Sequence, residues 1–241
     1  MPVKQAVILA GGRGTRLGRI TETVPKPMLP IGGRPFLDYQ LWFLRNSGVT
    51  GVVLCVGYLS ESLEGRYGVA PPFGLRIAIS HEPQPAGTGG ALVFARPHLE
   101  ETFFVLNGDT ILDLELGALA AIVAEDPSAL GALALRRVPD AGRYGRVSMA
   151  ASRITGFAEK SAGGSGLING GVYCLKRSAV DLLPTPPCSL EKDLFPRLTA
   201  EGRLLGKPCD GYFIDIGLPE TLSRAEKELP AWMKARNVAP V

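Results

Sequence analysis

Two spacings of apolar residues organise the first half of this chain. Unbroken apolar runs at residues 5–9, 51–56, 75–80, 102–106 and 129–136 read as strands. A strand covered on both faces needs no polar alternation, so such runs predict burial between two helical layers. Helical patterns lie between them. Residues 35–47 place Phe36, Leu37, Leu41 and Leu44 on one side, and Gly48 follows as a left-handed C-terminal cap. Residues 90–96 and 116–124 also read as helices. Strands alternating with helices imply parallel pairing.

The second half has another texture. Residues 145–149, 153–159 and 167–175 read as strands with little helix between them, which predicts a partly antiparallel extension of the same sheet. Helices follow at 189–201 and 218–229. The run 161–166 is too short for a domain linker and reads as a mobile loop at the edge of a site. Residues 184–187 read as a rigid turn. The fold expected is a single α/β domain over residues 1–241, three-layered and Rossmann-like. Its sheet is mixed but mainly parallel, with a small antiparallel extension. Trp42 and Phe43 are expected in the core, and Trp232 is a candidate contact in a homo-oligomer.

Composition narrows the function classes. With 241 residues and 46% hydrophobic residues, the chain can bury one sizeable core. A net charge of +3 is too mild for a nucleic-acid or membrane-surface footprint. The four cysteines form no CxxC pair, and Cys55 and Cys174 lie in apolar runs, so neither a redox motif nor a zinc knuckle is indicated. No apolar run approaches the ~20 residues of a membrane span, and the first residues do not read as a signal peptide. The expectation is a soluble cytoplasmic protein.

The chemistry begins directly after the first strand, at Leu9-Ala10-Gly11-Gly12-Arg13-Gly14-Thr15-Arg16-Leu17. Glycines let the backbone approach a ligand and aim successive N–H groups at one anion, to which Arg13 and Arg16 add charge. A dinucleotide fingerprint would run G-x-G-x-x-G into a helix. Here Leu17 stands at the third glycine position, and three prolines between residues 21 and 30 forbid a continuous helix. A nucleotide-dependent oxidoreductase is thereby disfavoured. Pro25-Lys26-Pro27-Met28 comes next, and its prolines are expected to fix Lys26 on a stiff, extended segment as a phosphate clamp.

The residues Gly11–Leu17 followed by Pro25–Met28 resemble, in order and spacing, the N-terminal signature of the sugar-1-phosphate nucleotidyltransferases, GGxGTRL and then PKPM. The resemblance extends through Pro219. It implies that Leu9, Ala10, Gly11, Gly12, Gly14, Thr15 and Arg16 wrap a nucleoside triphosphate, with Arg16 and Lys26 neutralising its phosphates. The loop from Ser80 to Gly90 is similar to that of guanylyltransferases, which puts Glu82, Gly87 and Thr88 at the base. A carboxylate accepts from the adjacent N1–H and N2–H donors of guanine. Asn107 and Asp109 would face the nucleotide from a strand end, where α/β ligands bind. Asp109 and Asp215 resemble the family's Mg²⁺ ligands. The resemblance also gives Gly145, Glu159, Lys160, Asn169 and Asp215 to the sugar 1-phosphate, with Lys160 aligning the attacking phosphate. Ser189 reads as a helix N-cap. Within the family the pattern is most similar to guanylyltransferases acting on D-glycero-α-D-manno-heptose 1-phosphate, with mannose-1-phosphate enzymes as near neighbours. The implied partners are therefore GTP, or another NTP, and a sugar 1-phosphate, with Mg²⁺ as cofactor.

Overall fold

The computed structural model describes residues 2–142, 144–158 and 164–237. The sheet strands are β1 (Gln5–Leu9), β2 (Gly51–Val56), β3 (Arg76–His81), β4 (Thr102–Asn107), β6 (Gly131–Val138), β7 (Arg146–Ala150), β8 (Arg153–Ala158), β9 (Gly166–Lys176) and β10 (Leu204–Cys209). Two short strands, β5 (Thr110–Leu112) and β11 (Phe213–Asp215), pair separately. The main helices are α1 (Phe36–Asn46), α2 (Gly87–Ala95), α3 (Leu116–Glu125), α4 (Phe195–Ala200) and α5 (Pro219–Asn237).

The nine strands run in the order β3-β2-β1-β4-β9-β6-β10-β8-β7. β3, β2, β1 and β4 are parallel neighbours, and β6 pairs parallel with β10. β9 and β8 pair antiparallel with their neighbours, so seven of the nine strands point one way. This is the expected mixed, mainly parallel sheet, with β7 and β8 as its antiparallel extension.

Side chains of β1 show why the central strands are apolar throughout. Ala6 and Ile8 join one buried cluster with α1, α3 and α5; Val7 joins the other with α2 and α4. Gly48 closes α1 with φ +84°, the left-handed cap expected of it.

Three expectations need correction. Strand β10 was not legible, because Gly206 and Pro208 interrupt its apolar run, yet it pairs with β6 inside the sheet. The last helix does not stop at 229 but runs to Asn237 through Pro230. Trp232 carries it: its ring stacks on Tyr212 and meets Trp42 edge-on, and its indole N–H donates to Asp113 Oδ2 at 2.8 Å. Trp232 is therefore buried inside this chain rather than offered to a second copy. The strand expected at 153–159 is described to Ala158, and most of the expected loop at 161–166 lies outside the described residues. Among the described residues, no helix is long and apolar enough to cross a membrane.

Candidate active site

Pairing register brings the site together. Leu9, the last residue of β1, lies opposite Cys55 of β2 and Asn107 of β4, so three parallel strands end side by side. Above these ends opens a cavity of about 580 Å³, lined by the turn from Leu9 to Gly14, by Lys26 and Tyr58, by residues 82–88 and by residues 107–109. Of the residues expected at the nucleotide, Leu9, Ala10, Gly11, Gly12, Gly14, Glu82, Gly87, Thr88, Asn107 and Asp109 line it. Thr15 and Arg16 do not; they begin a 3-10 segment, Thr15–Thr21, that leads away from it.

Two glycines in the turn are required by geometry. A Cβ on Gly11 would collide with the Glu82 carboxylate. Gly14 has φ +65°, and a Cβ there would come within 3.0 Å of Lys26 Cε. Both positions hold the loop against the charged side chains it serves.

Lys26 is buried, and its Nζ lies 2.8 Å from Asp109 Oδ2. The segment carrying it departs from the extended expectation: Pro25 is extended, but Lys26–Met28 is one turn of 3-10 helix. That turn carries the ammonium inward, where it meets a carboxylate instead of solvent. Asp109 is held on both sides. Its backbone oxygen accepts from Ile216 N–H at 2.9 Å. Gln40, fully buried on α1, donates one amide to both Asn107 O and Thr110 O at 2.8 Å. Gln40 thus clamps the turn around Asp109, a role that no motif announced.

Asp215 pairs across β11 and β5 with Thr110, so two acids a hundred residues apart in sequence are neighbours. Burial pushes the Asp215 carboxyl above the usual range, and the nearby Asp109 charge adds to this. The Gly217 N–H, Arg16 and Lys26 oppose it. The Arg16 guanidinium packs over Gly217 beside Asp215. Arg16 therefore joins the acids and not the glycine loop. Among the described residues no group of three or more His, Cys, Asp or Glu could hold a metal. A pair of carboxylates nonetheless suits Mg²⁺, which takes one or two such ligands and completes its shell with phosphate oxygens and water.

Glu82 lines the cavity beside the glycine turn. Oε2 accepts from Ala86 N–H at 3.3 Å, while Oε1 lies against Gly11. Burial raises its pKa, and the Ala86 hydrogen bond opposes the shift. The loop is braced from behind. Cys188 O accepts from Gly89 and Gly90 N–H, and Thr88 Oγ1 donates to Glu191 Oε2 at 2.6 Å. The Thr88 hydroxyl is thus occupied by this brace. Ser189 caps its segment as expected, accepting from Glu191 and Lys192 N–H.

The sugar-side residues are less assembled. Asn169 uses its amide within β9, donating to Tyr173 OH and accepting from Gly171 N–H. Tyr173 OH donates on to Asn107 Oδ1 at 3.4 Å, linking the two asparagines. Gly145 sits before β7 at φ +82°. Neither Asn169 nor Gly145 lines the large cavity. Glu159 and Lys160 lie outside the described residues.

Tyr58 and its neighbour Gly57 line the cavity unannounced by any motif. Tyr58 N–H donates to Gly11 O, its hydroxyl donates to Glu22 O at 2.8 Å, and the Arg13 guanidinium lies 5.5 Å from its ring centroid. Their signal was position: they follow β2 at the carboxyl edge where ligands gather.

The comparisons bear on this geometry. The profile of the family described as nucleotidyl transferase matches residues 5–231. The chain belongs to that family. Among similar proteins is a D-glycero-alpha-D-manno-heptose 1-phosphate guanylyltransferase of Aneurinibacillus thermoaerophilus, 37% identical over 93% of this chain and 98% of its own length. Mannose-1-phosphate guanyltransferase beta-A of Xenopus laevis is 34% identical over 96% of this chain but 68% of its own. The crystal structure of HddC from Yersinia pseudotuberculosis complexed with GMP-PN superposes with a TM-score of 0.81 at 32% identity, covering 95% of this chain and 99% of that one. The fold is thus that of a nucleotidyltransferase.

Proposed function

We propose that this nucleotidyltransferase, one domain spanning residues 1–241, transfers a guanylyl group from GTP to D-glycero-α-D-manno-heptose 1-phosphate, giving the GDP-sugar and pyrophosphate. The observation that carries the reading is the cavity itself, whose wall holds a glycine turn, the Lys26–Asp109 pair and the Glu82 carboxylate lying against Gly11. That is an anion seat and a hydrogen-bond acceptor in one pocket. The similarity to heptose 1-phosphate guanylyltransferases along nearly their whole length supports the acceptor. Mannose 1-phosphate is the second reading, supported by the Xenopus relatives.

A phosphate monoester, with a second pKa near 6, is largely dianionic at neutral pH and needs no general base. Its oxygen attacks the α-phosphorus of GTP, and the bond from that phosphorus to the β-phosphate oxygen breaks in line. The chain's contribution is positioning and charge. The glycine turn holds the triphosphate with backbone N–H groups. Lys26 and Arg16 stabilise the negative charge growing on pyrophosphate, and Lys160 aligns the acceptor phosphate. Glu159, Asn169 and Gly145 contact sugar hydroxyls. Glu82 reads guanine with Gly87 and Thr88 beside it, and Asn107 holds the nucleotide at the strand end. Asp109 and Asp215 would hold Mg²⁺, which when bound supplies positive charge to the reacting phosphates. We place the enzyme in the cytoplasm, since all four cysteines are free and buried.

Pyrophosphate release, followed with each NTP against a panel of sugar 1-phosphates, tests the reading. GTP with heptose 1-phosphate should give the highest kcat/KM. Asp109→Asn should lower kcat at least about 10²-fold, the scale of losing one preorganised charge group, while circular dichroism stays native. Turnover of wild-type size in that variant would remove Asp109 from the reaction.

A further inference from the structure

The large cavity is short of positive charge. Among the described residues, its lining holds two cations, Arg13 and Lys26, and two acids, Glu82 and Asp109. Lys26 is committed to Asp109 at 2.8 Å. Arg16, the second arginine of the glycine motif, lies outside the lining. Arg13 is the cation that remains. It is exposed and makes no hydrogen bond or ion pair with another described residue. A triphosphate brings several negative charges, and an uncommitted guanidinium beside converging backbone N–H groups adds a charge-assisted contact to theirs.

Arg13 is not left loose. Its guanidinium lies 5.5 Å from the centroid of the Tyr58 ring, within the reach of a cation–π attraction. Tyr58 is half-buried and is tied to the loop on both sides of Arg13. Its N–H donates to Gly11 O at 3.3 Å, and its hydroxyl donates to Glu22 O at 2.8 Å. Leu59 follows with φ +55°, a left-handed conformation that a branched side chain rarely adopts. The chain thus turns sharply after β2, with Tyr58 kept against the loop. A cation attracted to a ring keeps its N–H donors uncommitted, and the planar fork of arginine fits phosphate oxygens.

We propose that Arg13 binds the outer phosphates of the triphosphate, and that Tyr58 is a positioning residue that stations Arg13 there. Asp109 and its partner Lys26 belong to the attacked phosphorus in the proposed reaction, which leaves Arg13, between Gly12 and Gly14, to the phosphates beyond it. That assignment to the outer phosphates rests on the function proposed above. The grip of Arg13 on a polyphosphate anion does not.

The test is calorimetric titration of the full chain with GTP, GMP and inorganic pyrophosphate, without sugar phosphate. The variants are Arg13→Gln, Tyr58→Leu, Tyr58→Phe and the double variant Arg13→Gln with Tyr58→Leu. Arg13 is exposed, so its replacement leaves the core intact. Tyr58→Gln stands in should Tyr58→Leu fail to fold. Arg13→Gln should weaken GTP and pyrophosphate at least about tenfold, the scale of one hydrogen bond to a charged group. GMP has no outer phosphates, and its affinity should change little. Tyr58→Leu should weaken GTP about threefold, the scale of a cation–π contact, and Tyr58→Phe, which keeps the ring, should bind as wild type does. In the Arg13→Gln background, Tyr58→Leu should cost nothing more, because a residue acting through Arg13 has no effect once Arg13 is gone. GTP affinity unchanged by Arg13→Gln would overturn the phosphate contact. An equal cost of Tyr58→Leu in both backgrounds would reduce Tyr58 to a structural role and overturn its positioning of Arg13. Failure of the wild type to take GTP, with pyrophosphate still bound through Arg13, would instead overturn the proposed reaction and leave the anion grip standing.

Discussion

At the scale of single residues, the site depends on charges held where water would not leave them. Asp215 is the clearest case. Its carboxyl titrates above the ordinary value because of burial first and Asp109 second. In the window between the unfolded value and the raised folded one, the native state binds a proton that the unfolded chain has lost. Stability therefore falls as pH rises through that window, and the ionised acid remains a fixed cost above it. Asp215→Asn should raise Tm at neutral pH, by roughly 2–4 °C per kcal/mol relieved in a chain of this size, while turnover collapses. The gain should vanish below pH 3.8, the ordinary value of the group. A variant no more stable than wild type at pH 7 would contradict this account.

Glu82 presents the complementary problem, acceptor chemistry. One oxygen already accepts from Ala86 N–H, so in the proposed function base reading would fall mainly to Oε1 beside Gly11. Glu82→Gln places a donor where guanine also donates. Selectivity for GTP over UTP in kcat/KM should drop about 5- to 150-fold, matching 1–3 kcal/mol for a lost base contact. An unchanged ratio would mean that something other than Glu82 recognises the base.

At the scale of elements, two supports hold the turns that line the cavity and carry the acid pair, and they differ in how visible they were. The brace behind the base loop comes from the turn at residues 186–188 and the capped segment after it. Ser189 could be recognised as a cap from its residue type, but its contact with the Thr88 loop required the fold. The other support is α5. Its Trp232 fills a slot between Trp42, Phe43 and Tyr212, and Arg236 joins it on Asp113 at 2.7 Å. Asp113 follows β5, the strand that places Asp109 beside Asp215. Trp232→Ala should cost about 3–5 kcal/mol in denaturant unfolding, the usual range for deleting a buried tryptophan. Turnover below the transition should also suffer, since β5 loses its anchor. A cost under about 1 kcal/mol, typical of surface positions, would show that the helix end is not docked in solution.

At the scale of the whole molecule, the large cavity draws on the ends of β1, β2, β3 and β4 at once. A ligand that bridges those ends binds the native state and has no counterpart in the unfolded chain. GTP at a hundred times its Kd should stabilise the fold by about 2.7 kcal/mol, read as a rise in Tm. The rise should be absent for nucleosides without phosphates at the same concentration.

What the sequence determined by itself was local. Unbroken apolar runs gave β1 to β4 and β6, because a doubly covered strand leaves no other trace. Gly11, Gly12, Gly14 and Lys26 were legible as one cluster from their order and spacing, and all four line the large cavity. The tertiary structure alone decided what depends on register and packing. It turned Lys26 inward onto Asp109, drew Arg16 aside to Asp215, set Gln40 across the turn and used the Thr88 hydroxyl as a brace. These choices could not be read in one dimension because each joins residues far apart in the chain. The free energy of such a contact belongs to the pairing of strands and helices, and no residue carries it alone.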